Sequence, residues 1–219
     1  MLNFVEKGML HDEVRDYTSH NNRAEVTYKD FHNDVSFVKS HAEKCYFPYL
    51  KDCVRNILFI KPDLFIIWDR AESNDKTDKI ESGFNINNYD GKLKLEINDN
   101  EIFAQRPKAD LYMKVMSDID YNIDVADGKL HMAYHINPNQ AIEGKYGSTK
   151  RINLTTFGKA DYYTVICPMD KGAEKPEVNC IFEEDNTLMK IKYNRHEYEI
   201  KFNKDDILYK CDDGTHYIF

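Results

Sequence analysis

The sequence predicts an all-β chain, a large antiparallel β-sandwich of about a dozen strands. Three observations carry that expectation. Short β-branched and aromatic runs recur along the 219 residues, separated by Asn, Asp and Gly clusters at the spacing of sandwich strands and turns. The chain has 15 Tyr and 12 Phe within a hydrophobic content of 42%, a composition suited to pleated, half-buried surfaces. Sustained helical periodicity is absent. The length fits one sandwich domain over residues 1–219, with 1–18 as an irregular lead-in.

Taken in order, 24–28 (AEVTY) and 35–38 (VSFV) read as strands with turn residues between them. The clearest segment is 53–70, CVRNILFIKPDLFIIWDR. It predicts two strands, 54–60 and 64–68, joined at Lys61-Pro62-Asp63, where proline suits a turn. Both runs are almost continuously apolar and are expected to be central and covered on both faces. Asp90-Gly91 and Asp127-Gly128 signal two hairpin turns, because Asp-Gly accepts the positive φ of tight turns. Further strands are expected at 110–117, 129–136, 151–156, 162–167, 179–183, 188–193, 197–202 and 207–209.

The formal net charge of −8 repels phosphate backbones and argues against nucleic acid as a main partner. Five cysteines without CxxC spacing suggest neither a disulfide framework nor a zinc ribbon, and most of them read as small buried hydrophobes. The N-terminus, MLNFVEKGMLHDEVRD, is charged throughout and has no apolar run of signal-peptide or membrane-helix length.

Several ordered pieces carry a resemblance. Ser19-His20-Asn21-Asn22, Arg55, Lys61-Pro62-Asp63, Phe65-Ile66-Ile67-Trp68-Asp69-Arg70 and 160–168 (ADYYTVICP) are similar to the C-terminal β-sandwich of heparinase II/III-like polysaccharide lyases. That pattern has a His-Asn-Thr element, an arginine-bearing strand, a Lys/Arg-Pro-Asp turn, a strand ending in Asp, and an aromatic strand ending in proline. Asn22 stands where the family usually has Thr. The resemblance implies a glycosaminoglycan-type acidic polysaccharide as partner, an α/α toroid that supplies the tyrosine and histidine of β-elimination, and a periplasmic or extracellular location. This sequence contains no such toroid helices. The resemblance also implies a zinc or other divalent metal site, for which His20 is the one counterpart; the family's His-x-His pair has none.

His20 is therefore the metal candidate, with His11 or Asp16 as neighbours in sequence; its alternative role is to hydrogen-bond a turn together with Asn21. His131 and His135 share a strand face, but four residues of strand separate them by about 13 Å, too far for one ion. His32, Asp34 and His41 form a loose cluster that reads as turn chemistry. Arg55 and Asp69 are expected to pair across the hairpin with both heads at the sheet edge. Arg15, Tyr17, Arg23, Lys39 and Tyr49 are residue types that grip sugars and carboxylates, and equally those of an ordinary surface.

Two functions follow. The first is an accessory domain of a lyase-like protein, completing a cleft or binding acidic polysaccharide without lyase activity of its own. The second is a stand-alone structural or glycan-binding sandwich; a metal-dependent hydrolase built on His20 is a weaker third. No membrane partner is expected.

Overall fold

A computed structural model of the chain describes residues 2–4, 23–129, 147–204 and 206–219. In chain order the strands are β1 (Leu2–Phe4), β2 (Glu25–Phe31), β3 (Val35–His41), β4 (Leu50–Ile60), β5 (Leu64–Ser73), β6 (Lys79–Asn88), β7 (Lys94–Asn98), β8 (Glu101–Gln105), β9 (Ala109–Met116), β10 (Asn122–Lys129), β11 (Ser148–Phe157), β12 (Lys159–Asp170), β13 (Glu177–Phe182), β14 (Asn186–Tyr193), β15 (His196–Asn203), β16 (Ile207–Cys211) and β17 (His216–Ile218). One short helical turn, Glu43–Tyr46, precedes β4. The all-β antiparallel class is as the sequence predicts.

The strands form three sheets rather than two. The central sheet has eight strands in the order β2-β3-β4-β5-β12-β9-β8-β7; a four-stranded sheet runs β1-β6-β11-β10, and a five-stranded sheet runs β13 to β17 in sequence order. Strand alternation sends the side chains of the central sheet into two separate cores. Leu58, Leu64, Ile66, Trp68, Tyr163 and Val165 pack with Ile200, Phe202 and Tyr209 of the five-stranded sheet. Cys53, Ala71, Val115 and Tyr162 pack with Ile80, Ile152 and Leu154 of the four-stranded sheet. This is why β4 and β5 read as nearly continuous apolar runs: their two faces serve two cores. Toward the Lys61-Pro62-Asp63 turn the second face is only half-buried, and Phe59 and Phe65 cover each other there as a stacked pair with centroids 4.2 Å apart.

Two of the expected hairpins are not hairpins. Asn88 to Lys94 leads from the four-stranded sheet to the edge of the central one, so the Asp90-Gly91 turn, with Gly91 at φ 69°, is a crossover between layers. Asp127-Gly128 lies inside β10, where Asp127 pairs with Lys150 and Gly128 with Thr149. Continuous pairing to β11 overrides the local turn preference, and Gly128 is accommodated because a Cβ there would meet Thr149 Oγ1 at 2.5 Å. Only Lys129 of the strand expected at 129–136 lies among the described residues. β11 and β12 are joined at Gly158, whose φ of +68° and approach to the Lys76 backbone exclude a side chain while the chain passes between sheets.

Candidate functional site

The segments that carry the sequence resemblance become neighbours. β5 pairs with β4 on one side and β12 on the other, so that Asp69 stands opposite both Arg55 and Tyr162. Arg55 grips Asp69 through two bonds, Nε to Oδ1 and Nη2 to Oδ2, each 2.6 Å, and Ser82 of the four-stranded sheet donates to Oδ2 at 3.1 Å. The pairing is as expected, but its position is not. The carboxylate is 1% exposed and lies between two sheets, not at a sheet edge. Burial is offset because both carboxylate oxygens are bonded by a planar fork. Burial alone would lower the guanidinium's pKa; the bonds and charge of Asp69 outweigh it and hold Arg55 above its ordinary value.

Where β3 ends and β4 begins, the central sheet carries a second group of ionisable side chains. His41 ends β3, Glu43 opens the helical turn and Asp52 lies on β4; their ligand atoms are all within 4.8 Å of one another. His41 Nδ1 is 3.6 Å from Glu43 Oε2, and that buried oxygen has no hydrogen-bond partner among the described residues. A mixed nitrogen and oxygen set with one unsatisfied carboxylate oxygen can accept a divalent cation. Burial pushes the Cys53 thiol and the Tyr46 phenol up to about 12 each, so neither is an activated nucleophile or a base at neutral pH.

The other expected groups scatter. His32 and Asp34 lie before the first residue of β3 and His41 is its last, so the three do not converge. His32 stacks on Tyr217 at 4.0 Å and Asp34 accepts the Tyr217 hydroxyl at 3.1 Å, which makes both part of the contact with the C-terminal sheet. Lys39 and Tyr49 are half-buried and Arg23 is exposed. His20, with His11, Asp16, Arg15, Tyr17, Asn21 and Asn22, lies outside the described residues, as do His131 and His135. Glu43 and Asp52 were missed because a strand pair, not sequence proximity, brings Asp52 to His41; only the His41-x-Glu43 spacing hinted at it.

Trp68, the chain's single tryptophan, donates its indole N–H to Asp161 at 2.7 Å and stacks on Tyr163. Burial raises the Asp161 carboxyl above its ordinary range, opposed by the Trp68 bond, which favours the anion. A raised folded-state pKa means that protonation favours the fold. The contribution is fully present below the ordinary carboxylate range and is lost as pH rises through the raised value. Titration followed by Trp68 fluorescence is expected to show a step above the usual range of about 3.9, absent in Asp161→Asn; an unchanged step in that variant would contradict the assignment.

Together these features define an all-β domain of stacked antiparallel sheets with a charged, partly buried end on its central sheet. No protein-family model matches the chain, and no curated protein matches it. Among solved structures it is similar to the heparan sulfate lyase HepC from Pedobacter heparinus, at a TM-score of 0.63 and 14% identity over 83% of this chain and 28% of that one. It is likewise similar to heparinase III (TM-score 0.62, 12% identity, 82% of this chain and 27% of that one) and to the heparinase III BT4657 gene product (0.62, 13%, 83% and 28%). At these identities the likeness is one of fold, and the chain spans only about a quarter of each lyase.

Proposed function

We propose that the chain acts as the sandwich portion of a heparinase-type polysaccharide lyase, an accessory domain that completes a cleft or binds an acidic polysaccharide and leaves β-elimination to a helical toroid. The observation that carries this reading is the fold likeness itself, which takes in most of this chain and a minor part of each lyase. The spatial union of β4, β5 and β12, the strands bearing the resembling segments, supports it.

A divalent metal, zinc by the family's pattern, belongs to the same reading, with His20 as a ligand. At the charged end of the central sheet, His41, Glu43 and Asp52 are the described residues able to hold such an ion, which would join the end of β3 to β4.

The test uses the purified full chain on an array of acidic and neutral glycans, alongside an ultraviolet assay for unsaturated uronic-acid products. Salt-sensitive retention of acidic glycans without product release is the expected result. Product release by the chain alone would overturn the accessory role. Absence of glycan binding, together with no association with a heparinase-type toroid domain, would favour a stand-alone structural sandwich.

A further inference from the structure

The C-terminal sheet ends in two hairpin tips that bring three different metal-ligand types together. β14 and β15 are joined by Asn194-Arg195, with φ of 51° and 68°, the left-handed pair of a tight hairpin turn. That turn sets His196 as the first residue of β15. On the next strand Cys211 pairs with Tyr198, so strand alternation puts Cys211 and His196 on the same face. The following turn is closed by Gly214 N to Cys211 O and by Cys211 N to Thr215 O, and Asp212 N donates to Glu197 O at 3.0 Å. These backbone bonds hold Asp212 against the start of β15.

The three side chains, which contact one another directly, bring their ligand atoms within reach of a single ion. His196 Nδ1 is 3.0 Å from Asp212 Oδ1, Cys211 Sγ is 3.8 Å from the same nitrogen, and Sγ is 3.4 Å from the same oxygen. The point equidistant from three atoms so spaced lies about 2.0 Å from each, the length of a zinc bond to nitrogen or oxygen and about 0.3 Å short of one to sulfur, so Sγ would move outward slightly on binding. His196 and Cys211 also line a cleft of about 300 Å³ whose other walls include Asp34, Asp63 and Asp213. The one lysine on the cleft, Lys61, directs its ammonium to the His32 carbonyl at 2.5 Å. On that side the nearby fixed charge is mainly acidic, while the cleft on the other side of His196 carries Arg195, Lys192 and Lys175 with Glu174, Glu177 and Glu197.

We propose that His196 Nδ1, Cys211 Sγ and Asp212 Oδ1 form a binding site for a first-row divalent metal, zinc by preference, that ties the β14–β15 tip to the β16–β17 turn. The thiolate selects against calcium and magnesium, which take oxygen ligands. Three protein ligands leave a fourth position open to water or a small donor. The site shares no residue with the His41 cluster and does not depend on the lyase-like reading.

The experiment is a cobalt(II) titration of the metal-free full chain. One equivalent should produce a thiolate-to-cobalt charge-transfer band that zinc displaces and calcium does not. Cys211→Ser should abolish the band, and His196→Ala or Asp212→Ala should weaken cobalt binding at least tenfold, while His20→Ala and His41→Ala leave the band intact. His196 is exposed, so its substitution keeps the test decisive if Cys211→Ser impairs folding. Absence of the band, or a band that survives both Cys211→Ser and His196→Ala, overturns the proposal.

Discussion

Replacing Arg55 with alanine is expected to destabilise the fold by about 3–5 kcal/mol, the range for breaking a buried ion pair from one side. The substitution leaves the Asp69 carboxylate, 1% exposed, with Ser82 as its remaining side-chain donor among the described residues. An uncompensated buried charge is more costly than the lost attraction, because the carboxylate itself is held out of water even though the Arg55 side chain is 27% exposed. Replacing both partners, Arg55→Met with Asp69→Leu, should recover most of the loss, since a matched apolar pair leaves no charge behind. Urea unfolding of the single and double variants measures both. A loss under about 1 kcal/mol for Arg55→Ala would place the pair among solvated surface bridges and contradict its inter-sheet position.

Phe202→Ala should lose about 3–5 kcal/mol by the same measurement, the usual range for deleting a buried aromatic ring. Phe202 of β15 is 2% exposed and packs edge-on against Trp68 and Tyr163, with centroids 5.5 and 5.0 Å away. It is one of the rings that join the five-stranded sheet to the central one, and the one set edge-on to Trp68, so its removal should also change Trp68 fluorescence in the folded state. Phe157→Ala, on a side chain 57% exposed, serves as the control and should stay within about 0.5 kcal/mol. Equal effects of the two substitutions would contradict the core between these sheets.

Much of the fold was legible in the sequence, and the reason is local. The segment from Cys53 to Arg70 announces two central strands because its apolar run is unbroken by polar alternation, and the turn falls at Lys61-Pro62-Asp63 as expected. The segment after Asp90-Gly91 alternates as a strand and is one, β7, but its partner is β8, a five-residue strand too short to stand out in the sequence. The Asp90-Gly91 and Asp127-Gly128 turns were misplaced because a dipeptide reports the φ it tolerates, not which strand its neighbours will pair with.

The candidate site was legible only in part. Arg55 and Asp69 could be matched by counting from the turn, since register in a hairpin follows from the turn itself. Their burial could not, because it depends on Ser82 and Phe84 of a different sheet. The union of His41 with Asp52, and of His196 with Cys211 and Asp212, likewise arises from strand pairing and turn closure across more than ten residues of chain.

By itself the sequence determined the all-β class, the central β4–β5 hairpin and the Arg55–Asp69 register, because strand periodicity and turn chemistry are properties of neighbouring residues. Only the tertiary structure decided that the strands divide into three sheets around two cores, which ionisable groups meet, and that the Arg55–Asp69 pair is buried. Those outcomes depend on which sheet covers which face, and that choice is made by packing between residues far apart in the chain.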